Sequence, residues 1–174
     1  MGCDIHSYAE VKKDGKWQIV GAVFPLDGFN REYQKRTHGE SPFDWRSYGM
    51  YGVLANVQNY SHAPTIAEPR HDIPADASDE VKAKYSDWGG DAHTASWLTL
   101  RQLTEFDYDQ VFWDRRVTKQ TSANSWNGAA LADDGEGEHL PLRDFLGGDY
   151  FADLDVLKSL GAIDDVRIVF WFDK

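Results

Sequence analysis

Asp4, His6, Tyr8 and Glu10 alternate with Ile5, Ser7, Ala9 and Val11. In a strand alternate side chains share a face, so these polar and ionisable groups project together. That is too much polarity for a hydrophobic core, and the face is expected to meet water or a ligand. Asp4-Ile-His6 is an Asp-x-His unit, and Asp91-Ala-His93 is a second. Each offers either two ligands for a divalent cation or an imidazole aligned by a carboxylate for acid/base chemistry. A metal, if one is held, would take Asp4, His6, Asp91 and His93. The plainer alternative is an exposed strand with solvated polar side chains. Arg46 lies four and seven residues before Met50 and Val53, so it is expected on the core side of a helix start. There it needs an anion, either an internal carboxylate or a ligand phosphate at the positive helix end. Gly49 and Gly52 allow close backbone approach or tight helix packing. Arg70 is a second phosphate candidate, or simply an exposed loop arginine.

These residues need elements to position them. The alternation from Ile5 to Val11 predicts a strand, Asp14-Gly15 a tight turn, and Lys16 to Phe24 the return strand. The terminal Val166-Arg-Ile-Val-Phe-Trp-Phe172 is β-branched and aromatic, which suits a strand among others, so both ends are expected in one sheet. Ser41-Pro42 and the stripe Met50, Val53, Leu54 and Val57 predict a helix from about Phe43 to Gln58. Thr99 and Gln102 have capping-box spacing for a short helix through Phe106, and Leu140 to Leu160 carries one or two more before Gly161. Tyr60 to Ala77 and Thr121 to Glu138 read as long loops, and His93 falls in a Gly-rich loop before the Thr99 helix. The expected fold is α+β, one domain over residues 1–174. Its mixed or antiparallel sheet contains the N- and C-terminal strands, with helices on one face and long loops.

At 174 residues the chain is long enough to bury a core, and 41% hydrophobic with 27% charged residues is ordinary globular composition. The formal charge of −11 argues against coating a nucleic-acid backbone. Seven Trp, eight Tyr and nine Phe exceed the needs of a core this size, which points to a lined pocket or a subunit contact, including a homo-oligomer. A single cysteine, Cys3, excludes an internal disulfide, and no signal-peptide pattern opens the chain, so a reducing cytoplasmic setting is expected. No apolar run is long enough to cross a bilayer, and no membrane partner is expected. The opening Met-Gly-Cys is not followed by the Ser or Thr that myristoylation wants, since His6 stands there.

Met1-Gly-Cys-Asp-Ile-His6, Trp45-Arg-Ser-Tyr-Gly-Met-Tyr-Gly-Val-Leu-Ala55, Pro69-Arg-His-Asp-Ile-Pro74, Asp91-Ala-His-Thr-Ala-Ser-Trp-Leu98 and Val166-Arg-Ile-Val-Phe-Trp-Phe-Asp173 occur in this order over nearly the whole chain. Together they resemble a family of small proteins found largely in phages and prophages, whose members usually begin Met-Gly-Cys-Asp-Ile-His. The resemblance implies an accessory, counter-defence setting, in which such proteins capture or destroy the nucleotide signals of bacterial immunity. Its matched stretches offer Arg46, Tyr48, Arg70, Ser96 and Trp97, with Tyr8, as ligand contacts. Two functions follow. One is a phosphodiesterase on a cyclic or linear nucleotide, with His6 and His93 as base and acid, Asp4 and Glu10 orienting or binding a metal, and Arg46 on the phosphate. The other is a non-catalytic sponge that uses the same arginines and aromatics. An acidic mimic of nucleic acid that binds a protein is a third reading.

Overall fold

Asp14 and Gly15, with φ of 51° and 78°, make the left-handed pair of a tight turn. They fold the opening strand β1 (Ile5–Lys13) back onto β2 (Lys16–Ile19). The computed structural model describes residues 2–26, 28–122, 125–131, 133 and 135–173, with backbone alone at 28–30, 118–122 and 125–131. The short strands β3 (Phe24–Pro25) and β4 (His38–Gly39) pair with each other, and α1 (Gly28–Gln34) lies between them in the chain. Next come α2 (Tyr48–Ala55), α3 (Asp79–Trp88), β5 (His93–Thr99) and α4 (Leu100–Glu105). The remaining elements are β6 (Val111–Asp114), β7 (Arg116–Ser122), β8 (Ser125–Leu131), β9 (Glu138–Pro141), α5 (Leu142–Ser159) and β10 (Val166–Phe172).

Where the sequence treats residues 1–174 as one unit, contacts gather the chain into two. The first comprises residues 1–46, 69–106 and 148–174. Its antiparallel sheet has the order β2-β1-β10-β5, so the two terminal strands are central neighbours, in register from Ile5↔Phe172 to Val11↔Val166. Every residue of β10 is buried, as its β-branched and aromatic composition requires of a central strand. On one sheet face Val169, Trp171 and Ala95 form an apolar cluster with Ala77 and Val81, and Tyr8, Tyr85, Trp88 and Trp97 pack against it. Val81, Tyr85 and Trp88 come from α3, whose N-cap Ser78 accepts a hydrogen bond from Val81 N. On the other face the Ser7 hydroxyl donates to the Pro42 carbonyl. Phe43 then stacks on Tyr150 of α5, with ring centroids 4.6 Å apart.

The second unit comprises residues 47–68 and 107–147. It holds α2, the pair β6–β9 and the hairpin pair β7–β8. Gly49 packs against the Phe145 ring so closely that a Cβ there would come within 2.5 Å of Cζ, which assigns this glycine to packing. Gly147, at φ 77°, interrupts α5 where the chain passes from this unit to the first.

Several expectations are corrected. The helix read as Phe43–Gln58 begins only at Tyr48, because the Ser47 side chain accepts from Met50 N and holds Ser47 extended at φ −145°. Phe43 itself sits at φ 58°, outside any helix. His93 opens a strand, not a loop, and α3 arises where no helix was read. Residues 121–138, read as a loop, contain β8, although 123, 124, 132 and 134 lie outside the described residues. The Thr99 capping box forms with both of its reciprocal bonds.

Asp153 makes one consequence measurable. Its carboxylate is buried and accepts from Phe43 N at 2.6 Å. Burial above all, with Asp44 and Asp149 nearby, pushes its pKa up to about 7. A folded pKa above the unfolded value means the native state holds the proton more tightly. The associated stability is full below the unfolded carboxylate range and is lost as pH rises through about 7. Asp153→Asn is therefore expected to melt higher than wild type at pH 8, by up to about 4 kcal/mol in stability, and to lose that advantage at pH 4. Paired thermal melts at the two pH values check this.

Candidate functional site

The sheet register sets the site. Antiparallel pairing of β1 with β10 brings Asp4 opposite Asp173, and two backbone-level bonds close the clasp. Asp4 N donates to Asp173 Oδ1 at 2.8 Å, and Asp173 N donates to the Asp4 carbonyl at 3.1 Å. Asp173 Oδ2 then lies 3.1 Å from His6 Nε2. A carboxylate only accepts, so Nε2 carries the hydrogen and Nδ1 keeps its lone pair. Nδ1 has no hydrogen-bond partner among the described residues. Trp88, at the end of α3, lies over the imidazole with ring centroids 4.0 Å apart. The His6 side chain is 23% exposed, enough to be reached and enclosed enough to be held.

His93 supports Asp173 from β5. Its Nε2 lies 2.9 Å from the Asp173 carbonyl oxygen, which can only accept, so this nitrogen is protonated. Its Nδ1 is 3.0 Å from the Thr94 hydroxyl. Both ring nitrogens are thus engaged. Cys3 Sγ stands 3.9 Å from the same Nε2. Burial pushes the Cys3 thiol up, and Asp173 and Asp4 add to the shift against Arg46, so the sulfur stays protonated at neutral pH and is a poor nucleophile.

Arg46 is not on the core side. It sits one residue before the Ser47 cap, about half exposed, and donates from Nε (2.7 Å) and Nη2 (2.5 Å) to the two Asp4 oxygens. This fork holds the Asp4 carboxyl below the usual carboxylate range. The anion it required is therefore an internal carboxylate, Asp4, which immediately precedes the His6 strand.

No family model, curated protein or solved structure matches the chain.

The site geometry gathers Asp4, His6, Arg46 and His93 around Asp173 and distributes the other candidates. Glu10 shares their sheet face but is fully buried, its Oε2 accepting from Arg167 Nε at 2.7 Å and its Oε1 from Ser78 N at 2.7 Å. It anchors the start of α3 and does not reach His6. Tyr8 packs on Trp171 beneath Lys84, and burial, Glu40 and Asp44 push its phenol up. Asp91 is exposed in a 3-10 turn, and among the described residues no three His, Cys, Asp or Glu side chains are disposed to hold a metal ion. The set Asp4, His6, Asp91 and His93 is not assembled, because the fork from Arg46 occupies Asp4 and the carbonyl of Asp173 occupies His93. Tyr48 belongs to the second unit, packed with Tyr51 and Tyr60. Ser96 is buried, its hydroxyl accepting from Arg70 N, and Arg70 lies over the Trp97 ring at 3.8 Å. Arg70 and Trp97 line a cavity whose wall includes none of Asp4, His6, Arg46 and His93.

Asp173 is the residue the sequence reading missed. Its only local signal is an acidic residue at the end of an apolar strand; its pairing with Asp4 exists only in the folded register. Trp88 was hidden in the same way, since it reaches His6 from a helix the pattern did not reveal.

Proposed function

We propose that this chain hydrolyses a phosphodiester bond in a small nucleotide, with His6 as the base, Asp173 orienting it and Arg46 contacting the phosphate. The observation that carries the reading is His6 itself, an imidazole tied to a carboxylate through Nε2 with Nδ1 unpartnered among the described residues. Such an arrangement fixes the tautomer and the ring plane and steadies the imidazolium that forms when Nδ1 takes a proton. The proton comes from a water as its oxygen bonds to phosphorus. The ester bond on the far side of phosphorus breaks, and the leaving oxygen takes a proton from solvent water. Arg46, held in place by Asp4, supplies positive charge beside the phosphate as negative charge shifts. The resemblance to phage proteins supports a nucleotide signal as the substrate class and the host cytosol as the setting.

Sequestration without cleavage is the second reading, and one observation favours it. With both nitrogens of His93 engaged, the site offers one free imidazole nitrogen, where the two-histidine scheme wanted two. Capture needs none.

Incubating purified protein with cyclic and linear nucleotides, with and without chelator, and analysing the mixture by mass spectrometry separates the two. Hydrolysis predicts loss of one substrate and matching phosphorylated products. Intact nucleotide recovered after heating the protein supports sequestration, and an unaltered, unbound panel contradicts both. Arg46→Ala is expected to weaken binding and turnover together while lowering stability by less than about 1 kcal/mol, because the Asp4–Arg46 pair is solvent-screened. Binding assays beside thermal melts check it.

A further inference from the structure

Away from His6, the same sheet face carries an alternating stack of cations and indoles. Lys12 Nζ lies 5.7 Å from the Trp17 ring, and the Arg167 guanidinium is 3.9 Å from Trp17 and 5.8 Å from Trp97. Arg70 covers Trp97 at 3.8 Å. The strand register explains the order, since Lys12 faces Trp17 across β1–β2 and Val169, two residues beyond Arg167, faces Trp97 across β10–β5. All five side chains border a cavity of about 560 Å³, within the size range of small-molecule sites. Ile73 and Pro74 add an apolar wall.

The charges at this cavity are unevenly matched. Asp76 accepts from Arg167 Nη1 and from Trp17 Nε1, and Asp164 is held by Arg101. The acids at the rim thus have partners. Lys12 and Arg70 have no ion pair among the described residues, and the Arg70 Nε donates only a long 3.4 Å bond to the Trp97 carbonyl. Arg167, 3% exposed, uses Nε and Nη1, but its buried Nη2 has no hydrogen-bond partner among the described residues. A buried guanidinium nitrogen without an acceptor is costly, and Lys12 and Arg70 place two cations without an ion pair at one cavity in a chain of net charge −11.

From this cavity and its cation–indole lining, we propose a second ligand site for a small organic anion with a planar apolar body and a phosphate or carboxylate group. The anionic end meets Lys12 and Arg70. The planar body rests on the Arg70 guanidinium and on Ile73 and Pro74. This site is independent of the His6 reaction, since the two share no residue.

Tryptophan fluorescence and calorimetric titration of the full chain test it, with Trp17 and Trp97 as reporters. The probes are adenosine monophosphate, indole-3-carboxylate, inorganic phosphate and uncharged adenosine. Saturable binding of the monophosphate or the carboxylate is expected, weakening with added salt, and which of the two binds more tightly identifies the anionic group. Adenosine and inorganic phosphate should each bind at least about tenfold more weakly than that ligand, because each lacks one half of the recognition. Arg70→Ala and Lys12→Ala, both at exposed positions, should each cost about tenfold or more in affinity, and His6→Ala should leave it unchanged. The proposal is overturned if neither anion saturates the wild-type protein at millimolar concentration, or if Arg70→Ala and Lys12→Ala both bind like wild type. Adenosine binding as tightly as the monophosphate would overturn the anion requirement, and inorganic phosphate binding as tightly would overturn the planar one.

Discussion

Glu10→Ala should destabilise the protein by about 3–5 kcal/mol, the typical cost of stripping one partner from a buried ion pair. Glu10 is fully buried and Arg167 nearly so. Removing the carboxylate leaves the guanidinium with Asp76 alone, and Asp76 is largely exposed. It also frees Ser78 N, whose bond to Glu10 Oε1 ties the start of α3 to β1. Glu10→Gln should cost less, because an amide oxygen can still accept one of the two bonds, although it leaves Arg167 undercompensated. The double variant Glu10→Gln with Arg167→Met should recover part of the loss, since no charge is then stranded. Chemical denaturation of the three variants measures the ordering; equal stability of Glu10→Ala and wild type would remove the pair from the account.

The other large effect is kinetic. His6→Ala should lower kcat by about 10²–10⁴-fold while nucleotide affinity changes only a few fold, because a proton-transfer group acts mainly in the transition state. Asp173→Asn should lower kcat in the same direction, since an amide can present a donor to Nε2 and so release the tautomer that leaves Nδ1 free. Asp173 also accepts from Asp4 N, so melting of this variant must be measured beside its rate. His93→Gln should keep kcat within about tenfold, as a glutamine N–H can still donate to the Asp173 carbonyl. Steady-state kinetics on the substrate found by mass spectrometry read all three.

How far the sequence anticipates this arrangement depends on the kind of signal each residue carries. That β1 and β10 share a sheet was legible because strict alternation and a β-branched, aromatic terminus both indicate strands. The Asp14-Gly15 turn and the Thr99 capping box were legible because each needs particular residue types at fixed spacing. Alternation also put Asp4, His6 and Glu10 on one face, but period cannot separate a carboxylate that meets a ligand from one buried against Arg167. The apolar stripe of α2 has the right spacing to extend back past Trp45, and only the Ser47 side-chain bond to Met50 N stops it there. Helix α3 buries only Val81, so it shows almost no stripe, although Ser78-Asp-Glu80 is a sound N-terminal signal. The Gly89-Gly90 pair before His93 suggested a loop and concealed the edge strand β5. Asp173 could not be found from spacing at all, because it meets Asp4 and His6 only through the register of strands at opposite ends of the chain.

If His6, oriented by Asp173, is the group that moves the proton, the pH dependence of kcat must show it. One free imidazole nitrogen acting as base predicts a profile with a single ascending limb, lost in His6→Ala and unchanged in shape in His93→Gln. A bell-shaped profile whose descending limb disappears in His93→Gln would show that His93 supplies the acid, and would contradict the single-base site described here.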